Sequence, residues 1–146
     1  MSETACTLPD LIQISRDGCE FYEEAARSVS DKKLSRVFTD MAKAKSELAA
    51  NLASEFKAPK GKARAQMELV GEITQTYNTV GRAPKSVNSA HITALEQSET
   101  HIQGSLQKVV MDRDNSFVIR VLAKQYVSKA EALKAELRSR KRSLVG

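Results

Sequence analysis

Between Ala94 and Leu106 the sequence reads Ala-Leu-Glu-Gln-Ser-Glu-Thr-His-Ile-Gln-Gly-Ser-Leu, an apolar helical pattern with an acid along its centre. At about 100° per residue, Ile92, Leu95, Glu99, Ile102 and Leu106 share one side of a helix, so Glu99 points where leucine is expected. A carboxylate there must be paired, metal-bound or protonated, because burying it uncompensated is costly. A second stripe, Leu34, Val37, Phe38, Met41, Lys45, Leu48, Leu52 and Phe56, carries a lysine at its middle in the same way. Opposite charges at the centres of two apolar stripes are expected to meet as a buried Lys45–Glu99 pair, the alternative being that Lys45 snorkels to the surface and leaves Glu99 near solvent or protonated. Such a pair is tolerated only when its remaining donors and acceptors are satisfied, and Cys19, Tyr22 and Gln125 are the candidates for that role.

The remaining pattern is helical throughout. A first helix over about 7–29 opens on Thr7-Leu-Pro-Asp10, where Thr7 and Asp10 can form a capping box and Pro9 sits early enough to be harmless. Its apolar side is Leu8, Leu11, Ser15, Tyr22, Ala26 and Val29, flanked by Ile14, Gly18, Cys19 and Ala25; Asp17 and Glu20 should face water. Ser30-Asp31 breaks the helix and caps a second over about 31–56. Helices over about 86–111 and 114–142 follow, separated by Asp112-Arg-Asp-Asn115, which offers caps for the last. That last helix is read through Val118, Ile119, Leu122, Tyr126, Leu133 and Leu137. The connection 57–85 is bounded by Ala58-Pro-Lys-Gly61 and Gly81-Arg-Ala-Pro84, and holds Met67, Val70, Ile73, Tyr77 and Val80 at helical spacing, so a short helix over about 62–79 is expected within it.

Four helices of about 22 to 29 residues span roughly 33 to 43 Å and can lie side by side. Short turns make two antiparallel hairpins, and a connection of about 30 residues can return along the bundle, as in the ferritin-like arrangement. The expected architecture is therefore all-α: one ferritin-like four-helix-bundle domain over 1–146, with a long crossover carrying a short extra helix.

Composition agrees: of 146 residues only seven are aromatic and none is Trp. The N-terminus holds an acid and no long apolar run, and no segment is apolar enough to span a membrane, so the expectation is a cytoplasmic protein. Cys6 and Cys19 lack C-x-x-C spacing and are expected as reduced thiols. Much of the net charge of +5 sits in Arg138, Arg140, Lys141 and Arg142 of the basic tail 138–146. A second basic run, Lys57 to Arg64, lies in the crossover. Both read first as solvated charge, with an anionic partner as the alternative.

Several of these segments resemble a bacterial family of ferritin-like four-helix bundles catalogued only as a domain of unknown function. The matching residues are Leu11 to Ala26 with Asp17 and its Phe21-Tyr-x-x-Ala-Ala26; Phe38 to Leu52 with a basic residue at 45 and Glu47-Leu48; Glu96-x-x-Glu99; and Gln125. The resemblance implies a crossover with its own short helix and, at the position of Lys45, an arginine in most members. The crossover here departs from the commoner glycine-rich form.

A ferritin-like fold raises the prospect of a di-iron site, which needs inward glutamates from two helices and a Glu-x-x-His from each of the other two. No Glu-x-x-His occurs. His91 and His101 share one helix, the first expected as a packed edge residue and the second at the surface, and Lys45 projects into the ligand zone. No glycine-rich phosphate loop, Ser/His/Asp arrangement or zinc pattern is present, so no catalytic residue and no cofactor is assigned. The leading expectation is a non-catalytic module acting as a homo-oligomer or protein partner. A metal-binding or oxidoreductase reading would use Glu96 and Glu99 with stray carboxylates such as Glu20 and Glu47. A third reading gives Arg138, Arg140, Lys141 and Arg142 a nucleic-acid or anionic-membrane contact, weakened by the lack of interleaved aromatics.

Overall fold

The computed structural model describes residues 8–55, 67–81 and 87–143. Five helices carry the described chain: α1 Leu8–Ser28, α2 Lys32–Glu55, α3 Met67–Gly81, α4 Ser89–Met111 and α5 Phe117–Ser143, with no strand among the described residues. The four long helices fall within a few residues of their expected bounds, and α3 is the short helix of the crossover. The Thr7 cap, Cys6, Phe56, the basic run 57–64, the crossover joints at 58–61 and 82–84 and the first residues expected of α3 lie outside the described residues.

Local chemistry sets the turns. Asp31 Oδ1 accepts from the Leu34 amide at 2.9 Å and the Ser35 hydroxyl donates to the Ala26 carbonyl at 2.6 Å, which pins α2 antiparallel to α1. Asn88 caps α4 in a reciprocal box: its side chain accepts from His91 N at 3.0 Å, and its own amide donates to His91 Nδ1 at 3.2 Å. His91 is thus a capping residue at the bundle's edge. The segment Asp112-Arg-Asp-Asn115 builds the α4–α5 turn, with Asp112 accepting from the Asp114 amide and Asn115 donating to the Val109 carbonyl. The α5 cap is instead Ser116, whose hydroxyl accepts from the Ile119 amide at 3.2 Å.

Cross-helix bonds fix the directions. Arg120 reaches the Val110 carbonyl, Gln103 the Val127 carbonyl and Arg138 the Glu96 carboxylate, so α4 and α5 run antiparallel. Lys45 meets Tyr126 while Lys32 and Arg36 lie beside Arg140, so α2 and α5 are antiparallel as well. The order around the bundle is α1, α2, α5, α4, running up, down, up, down, and α3 packs into the seam between α1 and α4.

The interior is aliphatic and continuous: Leu11, Ile14, Leu34, Phe38, Leu52, Ile92, Leu95, Ile102, Leu106 and Leu137 are each at most 2% exposed. The α5 stripe is rotated from its expected phase. Val118 faces water and Leu122 is half-buried, while Ile119, Ala123, Tyr126, Ala130, Leu133 and Leu137 are buried. Ala123 and Ala130 belong to this buried face, and alanine carries little weight in a hydrophobic pattern. No described helix is long and apolar enough to cross a membrane.

Candidate functional site

Each of the five described helices contributes one side chain to a polar centre inside the bundle: Tyr22 from α1, Lys45 from α2, Tyr77 from α3, Glu99 from α4 and Tyr126 from α5. These include all three tyrosines of the chain. The Lys45 ammonium donates to Glu99 Oε1 at 3.0 Å and to the Tyr126 hydroxyl at 3.0 Å; Tyr22 donates its hydroxyl proton to Glu99 Oε2 at 3.0 Å. Lys45 and Glu99 are each 1% exposed, so the pair is closed off from bulk solvent.

The surroundings suit the charge. Lys45 Nζ stands 5.9 Å from the Tyr22 ring centroid and 5.5 Å from that of Tyr126, within the range in which an aromatic face attracts a cation. Phe21 stacks on Tyr77 at 4.8 Å, and Tyr22 packs edge-on to both, closing the centre on the α1–α3 side. The Tyr77 hydroxyl is the exception: among the described residues it is the buried side-chain oxygen or nitrogen without a hydrogen-bond partner.

Burial pulls the Lys45 ammonium towards its neutral form, but the Glu99 charge and hydrogen bond, with lesser help from Tyr77 and Cys19, hold its pKa above the usual lysine value. The pair thus favours the charged form of Lys45. Burial raises all three tyrosines, and the Glu99 charge pushes each further in the same direction, partly offset at Tyr77 by Lys45. The centre holds one positive charge, one negative charge and three neutral phenols.

Of the side chains read from the sequence as belonging here, Lys45, Glu99 and Tyr22 meet and two do not. Cys19 is half-buried, with Glu23 and Ser46 as hydrogen-bonding neighbours; burial and the Glu23 charge raise its thiol pKa. Gly18, one residue earlier, is the position that faces the pair. Gln125 is exposed beside Glu47 and Lys129 on the α2–α5 surface, and its neighbour Tyr126 supplies the inward hydroxyl. Tyr77 and Tyr126 were legible only as apolar stripe positions, although a tyrosine at the middle of a stripe beside a buried ion is itself a signal of a phenol used as a bond partner.

Glu96 lies outside this centre, on the α4–α5 edge. Its carboxylate accepts from Arg138 Nε at 2.9 Å and from Lys141 Nζ at 3.1 Å, and Lys141 also donates to Thr93 Oγ1. Half of the cations expected to form a free basic tail are thus internal partners of α4. Glu20 is exposed, Glu47 pairs with Lys129 at 3.5 Å, and His101 lies at the surface 3.8 Å from Glu72. Among the described residues no three His, Cys, Asp or Glu side chains gather as a metal site would require.

Residues 3–112 match the profile of the family described as "Domain of unknown function (DUF2383)", about three quarters of the chain. The chain belongs to the DUF2383 family. No curated protein and no solved structure matches it. The DUF2383 segment takes in α1 to α4, so it contains Tyr22, Lys45, Tyr77 and Glu99. Tyr126, Arg138 and Lys141 lie beyond it on α5, which completes both the central cluster and the Glu96 cluster from outside the DUF2383 match.

Proposed function

We propose that this DUF2383 protein is a non-catalytic, ferritin-like bundle of the bacterial cytoplasm, in which a fixed ion pair stands where a ferritin-like protein keeps its metal, and which acts through its surface as an oligomerising or partner-binding module. The observation that carries this reading is the position of Lys45 Nζ, 3.0 Å from Glu99 Oε1 at the middle of the bundle and closed off by Tyr22 and Tyr126.

The up-down-down-up chain order with a long crossover between α2 and α4 suits that assignment. The donor set does not suit iron. A di-iron centre in such a bundle takes inward carboxylates from four helices and histidines from two. Here one helix gives a carboxylate, one gives a cation, three give phenols, and both oxygens of the carboxylate are already engaged. A buried ammonium adjoining a cation site repels the metal, and neutral phenols are poor ligands for it.

Metal analysis and light scattering on one purified sample test the proposal together. The expected result is iron, manganese and zinc far below one per chain, with a mass above that of the 16.1 kDa protomer. About two irons per chain, the stoichiometry of a di-iron bundle, would overturn the metal-free reading. A strictly monomeric mass would remove self-association and leave a different protein as the partner.

A further inference from the structure

We infer that the groove between the start of α2 and the end of α5 binds a small molecule carrying two or more phosphoryl groups. Lys32, Lys33 and Arg36 from α2 and Arg140 from α5 line one depression of about 440 Å³, with the Val37 side chain in its wall and Glu136 as the acid among them. The two helices are antiparallel there, so the first turn of α2 is brought beside the last turn of α5, and residues about a hundred positions apart in sequence share one concavity.

None of the four cations forms an ion pair with a described residue, and Arg140 has only a long 3.5 Å contact to the Ser139 hydroxyl. Their neighbours in the tail behave differently, since Arg138 and Lys141 are held by Glu96. The fold thereby sorts the basic tail into cations that lock α5 onto α4 and one that joins the α2 cations. Four positive charges against one carboxylate in a concave wall focus a positive potential and favour an anion of matching charge.

The chemistry of the lining narrows the anion. Arg36 and Arg140 carry guanidinium forks, which match paired phosphate oxygens, and the two lysines add point charges, so the four cations exceed the charge of one phosphate. The volume falls within the range of about 300 to 1,000 Å³ typical of small-molecule sites. Among the described residues no aromatic side chain lines the groove, which withholds the stacking surface that single-stranded nucleic acid uses.

Calorimetric titration of the full chain with inorganic tripolyphosphate, orthophosphate and a short single-stranded oligonucleotide tests this. Tripolyphosphate should bind at one per chain and orthophosphate far more weakly. Arg36→Gln with Arg140→Gln should weaken tripolyphosphate by about tenfold or more through loss of two charge-assisted contacts, whereas Arg142→Gln, which removes equal charge per residue outside the groove, should change it less than about twofold. Glu136→Gln should tighten binding by removing the opposing charge. Arg36, Glu136 and Arg142 are exposed and Arg140 is half-buried, and unchanged helicity and melting of each variant confirms that the loss is one of binding. No tripolyphosphate binding, equal losses from Arg142→Gln, weaker binding by Glu136→Gln, or an oligonucleotide that binds tightly and is not displaced by tripolyphosphate would each overturn the inference.

Discussion

Gly18 and Lys45 share one volume: a Cβ built on Gly18 falls 2.5 Å from Lys45 Cδ and 2.9 Å from the Tyr77 hydroxyl oxygen. The lysine stem crosses α1 where that helix has no side chain, and its far end is fixed by Glu99 and Tyr126, so the stem has no free direction in which to retreat. Gly18→Ala is therefore expected to destabilise by about 1 to 2 kcal/mol, because overpacking outweighs the gain in helix propensity. Gly104 in α4 is exposed with nothing within 4 Å of its Cβ position, and Gly104→Ala should stabilise by about 0.5 to 1 kcal/mol. Urea melts of both variants decide it; a stabilising Gly18→Ala would show that the lysine stem has slack.

The ion pair is expected to fix helix register more than to add net stability, since desolvation offsets much of its attraction. Glu99→Ala leaves a buried ammonium and the Tyr22 hydroxyl without their acceptor and should cost about 3 to 5 kcal/mol. Lys45→Met with Glu99→Leu should recover much of that loss, and adding Tyr22→Phe and Tyr126→Phe should recover more by removing the hydroxyls left stranded. Additive losses across this series in denaturant melts would mean that the pair is not the interaction being removed.

The three phenols are predicted to respond differently to loss of their hydroxyls. Tyr22→Phe deletes a hydrogen bond to a charged carboxylate and should cost about 1.5 to 3 kcal/mol. Tyr77→Phe deletes a buried hydroxyl that has no partner, and should be neutral or stabilising by up to about 1 kcal/mol while preserving the ring that stacks on Phe21. A loss at Tyr77 as large as that at Tyr22 would show that an internal water serves its hydroxyl.

The reach of the sequence can be judged from individual residues. Glu99 and Lys45 were legible because a charge interrupting a long aliphatic stripe has few alternatives to an inward partner. Tyr22 followed, because it shares the α1 face with Leu11 and Ser15. Cys19 and Gln125 misled for one reason: each is a single residue, or about 100°, from the inward position, and the phases of α1 and α5 were taken from large side chains. The true phases include Gly18, beside which the Lys45 stem passes, and the buried Ala123 and Ala130, small residues that contribute almost nothing to hydrophobic periodicity. The division of the basic tail was illegible for a different reason. It depends on α5 lying antiparallel to both α4 and α2, so that Arg138 and Lys141 find Glu96 while Arg140 joins Lys32, Lys33 and Arg36.

Alkaline pH should unfold this protein through its centre. Lys45, Tyr22, Tyr77 and Tyr126 all have folded pKa values raised above their ordinary ones: the lysine because Glu99 and its companions outweigh burial, the tyrosines because burial and the Glu99 charge act together. A raised folded pKa means that the folded chain holds its protons where the unfolded chain releases them, so stability is complete below about pH 10 and falls as pH rises beyond it. Each group contributes a slope of at most about 1.4 kcal/mol per pH unit, and only between its unfolded and its folded pKa. The fold is therefore expected to be lost on the alkaline side of about pH 10, where these groups must give up their protons. The chain has three tyrosines and no tryptophan, so its phenolate absorbance reads these three groups alone. That absorbance is expected to appear in one step, coincident with loss of helical circular dichroism. Phenolate rising smoothly around pH 10 while the helices stay intact would show that water reaches the tyrosines and that the centre is open.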